Sequence, residues 1–259
     1  MKIKIYQADT YPAEIAQIRN RLKFLPDTLI HELKTAKFIN DRLRAEEWKP
    51  TEGLGELFLD LIEALGNHNI VAYHNTRLTQ PEDIYHEGLI FSDERYLGKL
   101  KRAILEAGMD ENIAVELERL VKKEQAFRQE NFQNRINEVS FFYDMDYYLD
   151  YDIFLMTLGG EFVDNALRDK NQNRLITADI AARIKKLGMP CVVEFFFPGK
   201  WLESILFDVA RYMIEKWVCD DLRNEKGDHR YDDRIETEIP ASNIIKVHVV
   251  KEPARFEDN

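Results

Sequence analysis

Two short clusters carry the side chains best suited to chemistry. The first is Tyr73-His74-Asn75-Thr76-Arg77, at the end of the apolar run Ile70-Val71-Ala72-Tyr73. A histidine leaving a strand for a turn can present its ring to a ligand, while the hydroxyl, amide and guanidinium beside it supply further hydrogen bonds. The second is Glu236-Thr237-Glu238, ahead of Ile239-Pro240. Strand alternation places both carboxylates on one face, where one can stabilise a developing positive charge or position a hydroxyl. Glu161, after Gly159-Gly160, and Glu194, inside Val-Val-Glu-Phe-Phe, are further carboxylates, ranked second and third behind Glu236. A charge at position 194 must face solvent, meet a cation or belong to a site, because burying it uncompensated is costly.

The elements that must hold these groups are legible as pattern. MKIKIY reads as a short strand, and the apolar positions from Ala13 to about Leu65, broken by Pro26, predict two or three helices before the first core strand. That strand ends at His74. Pro81-Glu82-Asp83 opens a helix with Thr79 as its cap, and Gly88 stops it before Leu89-Ile90-Phe91. A charged stretch from Tyr96 to Arg135 predicts two helices divided near Gly108, the second an insertion touching its surroundings through Val115, Leu117, Leu120 and Val121.

Val139 to Tyr143 reads as a strand, Tyr151 to Leu158 as a helix ended by Gly159-Gly160, and Ile176 to Leu187 as a helix stopped by Gly188 and Pro190. Cys191 to Phe197 reads as a central strand and Trp201 to Cys219 as a long helix, followed by a polar loop from Asp220 to Asp233. Arg234 to Ile239 and Ile244 to Val250 close the chain as two strands around Pro240-Ala241-Ser242-Asn243. Strands scattered among helices without strict βαβ alternation predict an α+β fold. The expected division is a helical extension at 1–66 and a core at 67–259, with the insertion at about 97–135.

The chain has 259 residues, a formal charge of −11 and a pI near 5.2, which argues against gripping nucleic acid through a general basic field. Local groups such as Lys185 and Lys186, or Lys99, Lys101 and Arg102, keep a nucleic-acid substrate open. The N-terminal residues lack the apolar core of a signal peptide, no apolar run is long enough to span a bilayer, and the two cysteines, Cys191 and Cys219, have no metal-binding spacing. A cytoplasmic protein without a membrane partner and with buried, inert thiols is expected. Neither a metal motif among the histidines nor a glycine-rich dinucleotide or P-loop fingerprint occurs, so no metal is expected.

The order of these features resembles the ADP-ribosyltransferase family over about residues 70 to 250. Tyr73-His74-Asn75-Thr76 is similar to that family's Tyr-His-Gly-Thr turn, with Asn75 where glycine is common. Ile84 to Leu89 resembles the helix and Gly-Leu that follow, and Glu236 to Ile244 resembles the late strand, proline turn and strand. The resemblance implies a split β-sheet core and NAD as the substrate. It implies His74 as ribose anchor, with Tyr73, Asn75 and Thr76 beside it, and Ser140 as a small hydroxyl next to the nicotinamide ribose. An aromatic residue would pack on nicotinamide; Tyr143, Tyr147, Tyr148 and Tyr151 all qualify, with Tyr151 favoured because it begins a helix. Glu236 is the implied catalytic carboxylate, with Glu161 as its competitor. Arg234 stands where arginine-modifying members carry a first glutamate, which makes that subclass a poorer match. A protein or nucleic-acid acceptor, a toxin or phage-defence role, and an antitoxin or inhibitor partner follow as implications. A non-catalytic interaction protein on the same fold, binding through its helical parts, is the competing expectation.

Overall fold

The computed structural model describes residues 1–35, 53–132, 137–145, 158, 160–168, 175–202, 206–224 and 232–251. In chain order the elements begin with β1 (Lys2–Lys4), α1 (Ala13–Arg21), α2 (Asp27–Thr35), α3 (Leu54–Gly66), β2 (Asn69–Leu78), α4 (Ile84–Glu87), α5 (Glu94–Glu106) and α6 (Glu111–Phe132). They continue with β3 (Val139–Phe142), α7 (Gly160–Arg168), α8 (Ala178–Lys185), β4 (Met189–Pro198), α9 (Leu206–Trp217), β5 (Asp232–Ile235) and β6 (Ile244–Val249). The six strands form one sheet of order β5-β3-β2-β4-β6, with β1 added to β2. This is the mixed α+β class that the scattered strand signals predict. No helix among the described residues is long and apolar enough to cross a membrane.

The chain divides into two compact units. The first joins residues 196–233 to Met1–Ala72, more than the N-terminal extension expected at 1–66. Here β1 lies parallel to β2, with Ile3 beside Ile70, and both side chains are fully buried. Leu57, Phe58, Leu61 and Leu65 recur at helical spacing on α3 and are buried, as are Val209, Met213 and Trp217 on α9. The buried Trp217 indole N–H donates to the Tyr11 hydroxyl at 3.3 Å, which in turn donates to the Ile5 carbonyl. Such a chain satisfies polar groups that would otherwise be costly inside a core.

The second unit comprises residues 73–195 and 234–259. β3 is antiparallel to β2, Tyr73 opposite Phe142. β6 is antiparallel to β4 from Cys191 opposite Val249 to Glu194 opposite Lys246, with an irregularity between Glu194 and Phe195. Beside these strands α5, α6, α7 and α8 share a core that includes Leu100, Ile104, Leu117, Val121, Val163 and Ile184. The two helices divided at Gly108, where φ is +70°, both pack into this core. Val115 differs from expectation, being half-exposed, whereas Leu117, Leu120 and Val121 are buried.

Several local readings need correction. β2 does not end at His74 but continues to Leu78, so the histidine sits within a strand. The short helix after it is entered from Gln80 with no side-chain cap, so Thr79 does not cap it; Pro81 occupies its first turn, where a missing N–H costs nothing. Gly160, at φ +60°, begins α7. Glu161 lies in the first turn of that helix, where the helix dipole favours a negative charge. The helix expected from Tyr151 lies outside the described residues up to position 157.

Candidate active site

In the second unit a cavity of about 240 Å³ lies against the middle of β2 and the start of β3. His74, Thr76, Ser140, Glu138, Glu161 and Arg234 are among its lining residues. Tyr73 pairs with Phe142, and the Ser140 carbonyl is met by the ring of His74, whose Nδ1 lies 2.7 Å away. A carbonyl can only accept, so Nδ1 carries the proton and a neutral ring keeps Nε2 as an acceptor. Burial lowers the His74 pKa below its ordinary 6.5, opposed by the Ser140 bond, and so favours this neutral form. This contact fixes the ring and leaves its Nε2 able to accept a hydrogen bond.

The carboxylates arrive from different elements. Glu138 immediately precedes β3 and lies 3.5 Å from Arg234 on β5, a loose ion pair in the cavity wall. Glu161 enters from α7, with its side chain 34% exposed and an oxygen 2.7 Å from Arg128. Phe162, next to Glu161, lines the same cavity, and the Arg128 guanidinium lies 5.7 Å from its ring centroid. Tyr96 on α5 lines another part of the wall, and burial pushes its phenol pKa well up, so it stays a neutral donor.

The sequence-derived candidates separate accordingly. His74, Asn75, Thr76, Ser140 and Glu161 are brought to one cavity. Tyr73 is buried and is not among the lining residues. Glu236 does not lie in a strand: β5 ends at Ile235, and Glu236 is exposed in the bend that follows, outside the cavity lining. The expected sharing of one strand face by Glu236 and Glu238 is therefore corrected. Glu238 turns instead to accept from the Phe91 backbone N–H at 3.0 Å and to pair with Arg95.

Glu194 is buried and lies 3.0 Å from His248 Nε2, which meets the requirement that it find a partner. It is not among the cavity residues. Tyr143 is buried in an edge-on contact with Phe141, centroids 5.4 Å apart, as part of an aromatic core. Tyr147, Tyr148 and Tyr151 lie outside the described residues. Cys191 is buried, with its thiol pushed up to about 11 by burial, and Cys219 is buried and not in a disulfide; neither has the environment of a reactive thiol.

Glu138 was the lining carboxylate that sequence patterning did not single out. Its signal is weak, a charge two residues before Ser140 at the mouth of an apolar strand. Arg128 was likewise hidden in a charged helix, although Glu124 lies one helical turn before it. Among the described residues no group of three or more His, Cys, Asp or Glu is placed to hold a metal ion. No family model, curated protein or solved structure matches the chain.

Proposed function

We propose that this cavity binds the nicotinamide riboside half of NAD and that the chain transfers ADP-ribose to a macromolecular acceptor. The observation that carries the proposal is the His74–Ser140 contact between β2 and β3, beside a carboxylate-bearing cavity. It gives a fixed hydroxyl acceptor where the family resemblance calls for a ribose anchor. The cavity lies slightly below the roughly 300–1,000 Å³ of drug-sized ligand sites, which suits a nucleoside-sized group better than a whole dinucleotide.

The chemistry asks for charge stabilisation more than for covalent participation. The C–N bonding pair leaves with nicotinamide, which departs neutral, and positive charge develops on the ribose. An acceptor lone pair then forms the new bond, and its proton passes to a carboxylate. Glu161 takes the carboxylate role in this proposal, with Glu138 adding negative potential. His74 holds the ribose through Nε2, and Ser140 lies beside it. Asn75 replaces the glycine of the related turn, and the acceptor class, protein or nucleic acid, is left to the assay.

One observation favours the competing view of a non-catalytic interaction protein: Glu236, the carboxylate that the resemblance itself nominates, is exposed outside the cavity. Incubation with labelled NAD and a cell extract distinguishes the two. Release of nicotinamide together with labelling of a macromolecule, both lost in His74→Ala at unchanged melting temperature, supports the transferase. Absence of both NAD binding and turnover in the native protein refutes it and favours the interaction protein.

A further inference from the structure

The charged helix α6 supplies the residue that grips a cavity carboxylate. Arg128 is only 12% exposed. Its Nε donates to Glu124 on its own helix at 2.7 Å, and one terminal nitrogen reaches Glu161 on α7, also at 2.7 Å. The guanidinium lies near the Phe162 ring, so its plane is held by packing as well as by ions. Most surface ion pairs fix little because both partners remain mobile and hydrated. Here a one-turn brace, an aromatic neighbour and burial all restrain the cation, and α6 is packed against α7 through the shared core.

We propose that Arg128 is a positioning residue: the inserted helix sets the orientation of Glu161 in the cavity wall. This rests on the transferase proposal and extends it, since it makes the insertion part of the catalytic apparatus. A planar fork does this more completely than a lysine, whose single rotatable ammonium replaces two separately directed N–H groups. Misplacing a reacting group by about 1 Å costs on the order of 100-fold in rate.

The test uses the full chain and nicotinamide release from NAD under single-turnover conditions, where slow variants remain measurable. Arg128→Met is expected to lower the maximal rate about 10- to 100-fold with the half-saturating NAD concentration within about twofold of native. Arg128→Lys should recover part of the loss. In a Glu161→Gln background, Arg128→Met should cause no further loss, because the group it positions is already gone. Equal losses in both backgrounds, or a change confined to NAD affinity, overturn the positioning role and leave the transferase standing. A native protein that releases no nicotinamide overturns the transferase proposal, and this role with it.

Discussion

On the proposed transferase reading, replacing Glu161 and Glu236 separately by glutamine removes one negative charge each with little change in volume but carries very different costs. Glu161 is two-thirds covered and fixed by Arg128, whereas Glu236 is exposed in a bend. A unit charge about 4 Å from a developing cation contributes about 4 kcal/mol at an effective dielectric of about 20, but only about 1 kcal/mol in water. Arg128 neutralises part of the Glu161 field, so about 2–4 kcal/mol is the working range for that site. Glu161→Gln should then slow nicotinamide release about 30- to 1,000-fold, and Glu236→Gln about fivefold or less. Initial rates at saturating labelled NAD, with melting temperatures as a control on folding, provide the comparison. A Glu236→Gln loss as large as that of Glu161→Gln would refute the assignment and return the catalytic role to the late glutamate.

Three further outcomes follow from the same coordinates. The His74 pKa is lowered on folding, so the folded state binds fewer protons than the unfolded chain just below the ordinary value of about 6.5. Its contribution to stability is complete above that pH and is lost as pH falls through the lower folded value; imidazole NMR should show the Nδ1–H tautomer at neutral pH and a titration midpoint below 6.5. Gly88→Ala should destabilise the protein by more than about 1 kcal/mol in urea unfolding, because φ is +77° and a Cβ would run into the Ile239 carbonyl oxygen. Leu117→Ala, at a fully buried position in the helical core, should cost about 2–5 kcal/mol by the same measurement while leaving the Ser140–His74 contact in place.

The strands and the long helices were legible because their signals are local. Val192, Val193 and the phenylalanines around Glu194 announce a buried strand, and Gly108 divides α5 from α6 by a positive φ. His74 was legible by residue type and by its place after an apolar run, although its strand continues through polar residues that periodicity alone reads as a turn. What the sequence could not convey depends on distant partners. Glu236 and Glu238 alternate as a strand should, but the strand stops at Ile235 and Glu238 is held by Phe91 and Arg95 from a distant part of the chain. The role of Arg128 was hidden for the same reason, since its nearest sequence partner, Glu124, looks like an ordinary helix-surface pair until Glu161 and Phe162 are seen beside it.

The antiparallel bridge between Leu89 and Ile239, closed at 2.9 and 3.0 Å, has a consequence for the order of events during synthesis. Beside it, the Phe91 N–H and Glu238 meet across 147 positions of chain. At about 5–20 residues per second, a ribosome takes roughly 7–30 s to travel between them. The segment around His74 is therefore exported long before Arg234 can join the cavity wall. A nascent chain stalled or cleaved within that interval carries the histidine but not the finished chamber.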